Sequence, residues 1–499
     1  MTAPAKAIRI HPDDNVAVAI QAIDPGTLVA VNGATLSAAD AIPPGHKIAL
    51  TPIAQDQQVI KYGYPIGKAT QTIEVGQHVH THNIATRLGH TETYTYEPIK
   101  WSHESIADNA AFDGFPRADG QVGIRNDIWI IPTVGCVNRI ARELSQQAKN
   151  LCTRGTVERV IAFEHPYGCS QLGDDLLNTQ KLLAALARHP NAGGVLVVGL
   201  GCENNNIAAF QTVLGQTDPN RVKFLCTQDV ENEYTAGMTL IEQLVHNAQN
   251  IERQPIPASR LKVGLKCGAS DGFSGITANP LLGAFSDQLI AMGGTTLLTE
   301  VPEMFGAETI LMNRCATPET FERCVKLIDN FKSYYTAHGQ PVHENPSPGN
   351  KEGGITTLEE KSFGCIQKGG SSPVVDVLDY TQSALKTGLN LVSAPGNDIV
   401  STTALAAAGA HLVLFTTGRG TPLGGPVPTI KIASHTSLAK RKPTWIDFDA
   451  GVALEGVPLN ELASQLFATV LEIVSGQKST RNERKSFHDI AIFKNGVTL

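Results

Sequence analysis

From about residue 117 onward, the chain repeats one pattern: an apolar, β-branched run, then a glycine-rich turn, then an amphipathic stretch. The runs read RVIAFEH, GGVLVVGLG, RLKVGLKCG, TTLLTEV, LNLVSAPG and HLVLFTTG. Strands that are apolar throughout are buried on both faces, as they are in parallel sheets covered by helices. The pattern therefore predicts an α/β protein with largely parallel sheets in this part of the chain.

The first 92 residues have a different pattern. Short β-type runs at 28–31, 47–50 and 59–62 are separated by PG, NG, PPG and YG turns. Only residues 16–23 show helical periodicity. This combination predicts a small N-terminal β domain.

Two segments without a clear period predict the domain boundaries. Residues 93–116 are predicted to form a connector that packs through Trp101 and Phe112, and a polar stretch with two prolines spans 250–260. A chain of 499 residues is also longer than one ordinary domain. We therefore expect a β domain at 1–92, a connector at 93–116, a second α/β domain at 117–250 and a C-terminal α/β domain at 251–499.

Charge and composition argue against several classes of partner. The formal net charge of −7, without a Lys/Arg run, offers no electrostatic footprint for nucleic acid or an anionic membrane surface. No stretch reaches the roughly 18 apolar residues that span a bilayer, and no basic segment followed by an apolar one opens the sequence. We therefore expect a cytoplasmic protein without a membrane or nucleic-acid partner. Nine cysteines, an odd number, favour free thiols or metal ligands over a disulfide framework.

Three Gly-Cys pairs follow apolar runs at equal intervals of 33 residues: Cys136, Cys169 and Cys202. This spacing is about one strand-helix unit, and the carboxyl ends of parallel strands meet at the edge where α/β sheets bind ligands. The pattern predicts that the three thiols converge there and hold a metal. The alternative is that Gly-Cys simply suits a tight turn with a small buried side chain.

Histidines alternate in the segment GQHVHTHN, so a strand would place His78, His80 and His82 on one face. Imidazoles two residues apart can share a divalent cation, with His46 in PPGHKIAL as a further ligand from a neighbouring strand. The alternative is a solvated polar face. We predict a metal site at these histidines.

Glycine-rich polar loops in the C-terminal part allow backbone amides and short side chains to approach a polyhydroxylated ligand. They lie at 265–280, 298–308, 344–354, 393–398 and 416–425. Arg419 and Lys351 are the natural partners of a substrate carboxylate, because Arg pairs with it through two bonds and Lys as a point charge. The acidic candidates are Asp271, Glu203, Glu300 and Glu303, although each alone is more often a turn or cap residue.

The candidate site residues come from these loops, from PPGHKIAL and from GLGCENN. We assign catalytic roles to His46, Lys351, Glu203 and Asp271, and substrate binding to Arg419, Ser270, Ser274, Asn279 and Asn350. The sequence GLGCEN begins like a dinucleotide fingerprint but lacks its third glycine, and no phosphate-binding loop or nucleophile elbow is present. No nucleotide cofactor is therefore expected.

The chain resembles the altronate/galactarate dehydratase family almost from end to end. The resemblance rests on long strings such as GHKIAL, VIKYGYPIGKA, GQHVHTHN, PTVGCVN, YGCSQLGDD, GLGCENN, SDGFSGITANP, TEVPEMFGAE, NPSPGNKEGGITTLEEKS, LVSAPGND and LFTTGRGTP. It implies an N-terminal SAF (β-clip) domain, followed by a second and a larger C-terminal domain. It also implies dehydration of D-altronate to 2-dehydro-3-deoxy-D-gluconate in hexuronate catabolism, activated by Fe²⁺ or Mn²⁺. The histidine triplet favours the altronate branch of the family.

Three alternatives to this interpretation stay open. The substrate can be galactarate or another aldonate or aldarate. Cys136, Cys169 and Cys202 can hold an iron-sulfur cluster whose open iron binds the substrate, as in an iron-sulfur hydro-lyase. The chain can also be a non-catalytic sugar-acid sensor that binds through its β domain. In each case the expected partner is a small sugar acid, with association of several copies into a homo-oligomer as an option.

Overall fold

The computed structural model describes residues 5–88, 93–99, 110–153 and 155–496. Trp101, one of the two residues through which the connector was predicted to pack, lies outside the described residues. Phe112, the other, is buried in the largest hydrophobic core. Within the described ranges, no helix is long and apolar enough to cross a lipid bilayer.

The N-terminal part is built from nine short strands. In chain order they are β1 (Ala5–Ile8), β2 (Val16–Ala19), β3 (Leu28–Val31), β4 (Ala34–Ser37), β5 (Lys47–Ala49), β6 (Gln58–Lys61), β7 (Tyr64–Ala69), β8 (His78–Val79) and β9 (Ile84–Ala85). They form a sheet in the order β4-β3-β1-β2-β5-β8 and a smaller one in the order β6-β7-β9. The helical expectation for 16–23 is wrong. Residues 16–19 are buried on both faces of β2, which hides the two-residue alternation of a strand.

The second part contains a four-stranded parallel sheet. Its strands and the three that flank them are β10 (Ala111–Pro116), β11 (Val122–Gly123), β12 (Asp127–Pro132), β13 (Val160–Ala162), β14 (Ala192–Gly199), β15 (Val222–Cys226) and β16 (Gln254–Pro257). The helices are α1 (Asn138–Gln147), α2 (Gly173–Arg188), α3 (Ile207–Leu214) and α4 (Glu233–Ala248). The parallel sheet has the order β13-β12-β14-β15. The proline-rich segment near 250–260 is not only a linker, since β16 pairs with β10.

A seven-stranded parallel sheet organises the C-terminal part. Its strands are β17 (Lys262–Cys267), β18 (Thr295–Leu298), β19 (Val374–Leu378), β20 (Gly388–Val392), β21 (Leu412–Thr417), β22 (Thr429–Ala433) and β23 (Phe448–Asp449), in the order β19-β20-β18-β17-β21-β22-β23. The first strand, β17, has its successor β18 on one side and the later β21 on the other. The strand order therefore reverses at β17, and crevices at such a point bind ligands in α/β folds.

Helices cover both faces of this sheet. They are α5 (Ala278–Ala291), α6 (Glu308–Met312), α7 (Pro318–Ala337), α8 (Pro348–Glu352), α9 (Leu358–Ile366), α10 (Asp398–Ala407), α11 (Thr436–Arg441), α12 (Leu459–Val474) and α13 (Arg481–Arg484). Short 3-10 helices lie at Gly135–Val137, Ala148–Thr153, Thr227–Asp229, Ala258–Arg260, Val301–Glu303, Gln367–Gly369 and Gly451–Glu455. The strands β14, β20, β21 and β22 are buried throughout, which explains their continuous apolar runs. The predicted fold class is confirmed.

Candidate metal centre and substrate cleft

Three histidines from two strands meet at the edge of the N-terminal sheet. The pairing of β5 with β8 places Ile48 opposite His78, so His46, just before β5, lies beside it. His46 Nδ1 is 3.0 Å from His78 Nε2. One ligand atom from each of His46, His78 and His80 lies within 4.8 Å of the others. We call these three residues the histidine group.

Hydrogen bonds hold the histidine group in position. The backbone N–H of His78 donates to Asp40 Oδ2 at 2.9 Å, and that of His80 donates to Asn83 Oδ1 at 2.9 Å. His46 Nε2 is 3.0 Å from the carbonyl oxygen of Glu352. A carbonyl only accepts, so Nε2 carries the proton and Nδ1 of His46 keeps its lone pair for a ligand.

The electrostatic environment keeps these rings neutral. Burial lowers the pKa of His78 to about 4 and that of His80 to about 3. His80 Nδ1 is buried and has no hydrogen-bond partner. Neutral imidazoles with a free nitrogen are the form that binds transition metals such as iron, so the residues fit a divalent cation.

His82 does not belong to the histidine group. Its side chain is exposed, and its ring lies 5.4 Å from that of His78. Strand β8 ends at Val79, so the alternation of side chains along a strand does not extend to His82. Within the described part of the chain, no other three His, Cys, Asp or Glu residues bring ligand atoms as close together.

The three Gly-Cys loops follow β12, β13 and β14, which are neighbours in one parallel sheet. Cys136, Cys169 and Cys202 are exposed free thiols. Among the described residues they do not reach the 4.8 Å spacing of the histidine group. The alternative interpretation, a small buried turn residue, does not fit their exposure either.

Glu203 is placed by the turn that follows β14. Its carboxylate is buried and accepts hydrogen bonds from Thr133 Oγ1 at 2.6 Å, Leu200 N at 3.0 Å and Gly201 N at 2.6 Å. These contacts tie the loop to the sheet. The structure therefore gives Glu203 a turn-stabilising position in the second part, and its catalytic role stays a prediction.

A cleft of about 670 Å³ lies between the N-terminal sheet and the seven-stranded sheet. Its wall includes Pro43 and Pro44, which precede His46, and Glu352 and Gly353, whose turn bonds to His46. The polar side chains that line it are Asp271, Arg419, His435, Thr436, Ser437 and Arg441. The histidine group therefore stands directly behind one wall of this cleft, which we call the substrate cleft.

Asp271 and His435 lie against each other in the substrate cleft. Asp271 Oδ1 accepts hydrogen bonds from Ser274 N, Ser274 Oγ and Ser434 Oγ, each at 2.9 Å. Its other oxygen, Oδ2, lies 3.4 Å from His435 Nε2. His435 Nε2 is also 3.0 Å from Gly418 O. A carbonyl only accepts, so Nε2 carries the ring proton on the side that faces Asp271.

Arg419 lines the substrate cleft, whereas Lys351 lines a different cavity. Arg419 Nη2 is 3.0 Å from Glu352 Oε2, and both side chains are largely exposed. Lys351 lies one residue before Glu352 but lines a second cavity of about 920 Å³ at the carboxyl edge of the seven-stranded sheet. Helix α8 thus has an Arg419-containing cleft on one side and a Lys351-containing cavity on the other.

The larger cavity contains buried ionisable groups that the sequence did not single out. Lys361 Nζ lies 2.8 Å from Glu303 Oε1, and Cys365 Sγ lies 3.0 Å from Glu303 Oε2. Contact with the Cys365 thiol lowers the pKa of Cys267 to about 5. Glu303 was named as an acidic candidate and Cys267 lies in the predicted loop 265–280, whereas Cys365 and Lys361 lacked any spacing that would have identified them.

Most of the predicted substrate-binding amides and hydroxyls are occupied by the protein itself. Asn279 Nδ2 donates to Gly364 O at 2.9 Å, and Asn279 Oδ1 accepts from Thr416 Oγ1 at 2.6 Å. Asn350 Nδ2 donates to Ser270 O at 2.8 Å, and Ser274 bonds to Asp271. These residues shape the loops of the cleft and cavity. Their direct contact with a substrate stays a prediction.

His435 is the cleft residue that the sequence analysis missed. It follows β22 in the string IASHTS and accepts a hydrogen bond from Leu438 N as the N-cap of α11. The usable signal was its position after an apolar strand, which it shares with Arg419 and Asp271. A lone histidine in a short polar loop gave no reason to prefer it.

Together, the fold and the site define an α/β enzyme for a small polar substrate, with three histidines that could hold a metal ion beside its cleft. Models of the altronate/galactarate dehydratase SAF domain, of the D-galactarate dehydratase/altronate hydrolase second domain and of the D-galactarate/altronate dehydratase C-terminal domain match residues 5–87, 114–249 and 258–498. The chain therefore belongs to the altronate/galactarate dehydratase family.

Relatives with curated names narrow the position within the family. The chain is 53% identical over 493 residues to altronate dehydratase of Escherichia coli and 51% identical over 494 residues to that of Bacillus subtilis, with 99% of each chain covered in both cases. It is 32% identical over 523 residues to galactarate dehydratase (L-threo-forming) of Escherichia coli, covering 99% of this chain and 97% of that one. The altronate branch is thus the more similar of the two.

Proposed function

We propose that this enzyme dehydrates D-altronate to 2-dehydro-3-deoxy-D-gluconate in hexuronate (galacturonate) catabolism. The identity to two altronate dehydratases over nearly the whole chain supports this substrate over galactarate. The observation that carries the proposal is the bond from His46 to the Glu352 turn, which joins the histidine group to the cleft of Arg419 and Asp271. A cytoplasmic location and a homo-oligomeric state stay predictions.

The reaction removes the C2 proton, which the neighbouring carboxylate makes only weakly acidic, and expels hydroxide from C3. Both steps need charge compensation and a positioned proton donor or acceptor. A divalent ion held by His46, His78 and His80, for which we propose Fe²⁺ or Mn²⁺, would supply positive charge where the enediolate-like charge develops. This role replaces the acid-base role predicted for His46 from the sequence.

The remaining chemistry is assigned to side chains that line the cleft. Arg419 meets the substrate carboxylate with two parallel N–H···O bonds, in place of its present partner Glu352. Asp271 accepts the proton from C2, and the ring N–H of His435, 3.4 Å from Asp271 Oδ2, stabilises the carboxylate beside it. Lys351 lies at the other side of α8 and would take over the carboxylate if Arg419 did not bind it.

A coupled assay for 2-keto-3-deoxy acids tests this proposal. The purified chain is supplied with D-altronate, galactarate and other aldonates, each with Fe²⁺, with Mn²⁺ and after chelation. We expect the highest kcat/KM on D-altronate and a loss of turnover after chelation. A preference for galactarate would overturn the substrate assignment, and binding of D-altronate without any product would favour a sugar-acid sensor.

A further inference from the structure

The proposed dehydration does not use the three Gly-Cys loops, although they carry the most unusual cysteines of the molecule. Of the nine thiols, only Cys136, Cys169 and Cys202 are exposed, and the other six are buried or half-buried. Free cysteine is normally among the most buried residue types, and an exposed thiol is open to oxidation. Three exposed thiols at one sheet edge therefore indicate a ligand. We call them the thiol edge.

Backbone hydrogen bonds hold the three loops against one another. Gly135 N donates to Tyr167 O at 2.7 Å, and Asn204 N donates to Cys169 O at 2.9 Å. Each cysteine is thus within two residues of a bond between its own loop and a neighbouring loop. Gly135 permits this approach, since a Cβ at that position would lie 3.0 Å from the carbonyl oxygen of His165. The three loops form one continuous surface.

The thiol edge borders the larger cavity of the C-terminal part. Tyr167, two residues before Cys169, lines the 920 Å³ cavity, and its hydroxyl donates to Ile492 O at 3.0 Å. Lys494, which also lines the cavity, donates to Asp175 O at 2.9 Å. A group held at the thiol edge would therefore lie next to a polar cavity large enough for a sugar acid.

The fourth cysteine near this edge is already engaged. Cys226 ends β15 and is half-buried, and its thiol donates to Leu200 O at 3.5 Å. Cys202 instead accepts a hydrogen bond from Gln228 Nε2 at 3.7 Å. The set of available ligands is therefore three thiols.

We propose that the thiol edge binds an iron-sulfur cluster through Cys136, Cys169 and Cys202. Thiolates are the soft ligands that iron-sulfur clusters use. A single ion would need the three sulfurs at the close spacing seen in the histidine group, which they do not have, whereas a cluster of several irons spreads its thiolates further apart. Three thiolates leave one iron of a four-iron cluster open to an oxygen ligand from the cavity.

The test uses the full chain, reconstituted under anaerobic conditions with ferrous iron and sulfide. We expect iron and acid-labile sulfide in equal amounts and a visible absorbance shoulder near roughly 400 nm. C136S, C169S and C202S should each lose most of the sulfide. C152S, which replaces a half-buried thiol of the same part of the chain, is the matched control and should retain it.

Two further measurements keep the outcome independent of mutant folding and of the dehydration. Iodoacetamide labelling of the unmutated chain, read by peptide mass spectrometry, should be slowed at the three cysteines after reconstitution. A variant with His46→Ala and His80→Ala should keep its sulfide, which separates the cluster from the histidine group. Iron bound without sulfide, or equal sulfide in C136S and C152S, would overturn the proposal whatever the activity.

Discussion

Two junctions fix the C-terminal sheet to the rest of the chain, and they are built differently. At the first, Glu360 of α9 lies between two lysines of the N-terminal strands, with its oxygens 2.9 Å from Lys47 Nζ and 2.8 Å from Lys61 Nζ. All three side chains are at most 1% exposed. At the second, Glu483 pairs with Arg125 at 2.7 Å and with Arg159 at 3.0 Å.

The two junctions differ in how many acidic partners each buried cation has. Arg125 and Arg159 of the second junction also lie near Glu158 and Asp127, so neither cation depends on Glu483 alone. Among the residues that the structure describes, Lys61 has Glu360 as its one ion-pair partner, and Lys47 adds the carbonyl oxygen of Gly354. The first junction, which seats the histidine group against the substrate cleft, is therefore the one that a single substitution should damage most.

The largest effect is expected for Glu360→Ala. The change leaves the Lys47 and Lys61 ammonium groups buried without their carboxylate, a loss that typically destabilises a protein by about 3–5 kcal/mol. This loss is measured as the change in the free energy of unfolding for the first cooperative transition in urea. The metal concentration for half-maximal activity should rise as well, because His46 bonds to the turn just before α9.

Two variants serve as controls for this comparison. Glu483→Ala removes the carboxylate of the second junction and should cost less, since both arginines keep acidic neighbours. Glu322→Ala replaces an exposed glutamate of α7 and should change the unfolding free energy by no more than about 0.5 kcal/mol. Equal losses in Glu360→Ala and Glu483→Ala would remove the distinction between the junctions.

The second prediction concerns the cleft that the first junction creates. Arg419→Lys loses the planar fork that holds a carboxylate by two bonds, so transition-state stabilisation should fall by about 1.5 to 3 kcal/mol. This corresponds to a roughly 10- to 150-fold lower kcat/KM on D-altronate. The same substitution at Arg139, an exposed residue of α1, should leave kcat/KM unchanged.

An effect below about threefold in a folded Arg419→Lys protein would contradict the clamp assignment. Lys351, which lines the larger cavity, would then become the leading carboxylate partner. The result would also move the substrate from the substrate cleft to the larger cavity on the other side of α8.

The third prediction is a pH dependence at another contact between the second part of the chain and the C-terminal part. His189 is buried there, with Nε2 3.0 Å from Ala410 O, and burial lowers its pKa to about 3. The unfolded chain, with the ordinary histidine pKa near 6.5, binds a proton that the folded chain does not. This contribution to stability is complete above about pH 6.5 and is lost as the pH falls toward 3, by about 2 kcal/mol at pH 5.

Urea unfolding between pH 7.5 and pH 5, followed by tryptophan fluorescence, measures this dependence. Trp129 stacks on His189 with ring centroids 5.3 Å apart and reports on that region. His189→Gln should make the pH profile shallower, since glutamine can still donate to Ala410 O without titrating, while other buried histidines keep their share of the slope. As a control, His246→Gln, at an exposed position of α4, should keep the original slope of unfolding free energy against pH. The same unchanged slope in His189→Gln would contradict the prediction.

The elements whose signals are local were the ones that the sequence predicted. Each Gly-Cys pair follows its own strand, so the spacing of 33 residues was enough to place Cys136, Cys169 and Cys202 at one sheet edge. The alternation of His78 and His80 was equally readable. The spacing of residues along the chain determines such features, so they can be inferred without knowing any distant contact.

Features that depend on distant contacts were missed or only partly foreseen. His46 joins the histidine group through the register of β5 on β8, and its second contact, Glu352, is 306 residues away. The pairs of Lys47 and Lys61 with Glu360 span 313 and 299 residues and follow no local pattern. Strand β16 was hidden because its prolines are tolerated only where a strand lies at a sheet edge.

The smallest expected effect separates the two histidines that the sequence could not tell apart. His80→Ala removes a buried nitrogen of the histidine group, so metal-dependent turnover should fall at least about tenfold. His82 is exposed and lies outside the group, so His82→Ala should keep turnover within about twofold. Activity is titrated against Fe²⁺ and Mn²⁺ in both variants, and far-UV circular dichroism checks their folding. Equal losses in the two variants would bring His82 back into the site, and full activity in His80→Ala would leave the thiol edge as the better metal candidate.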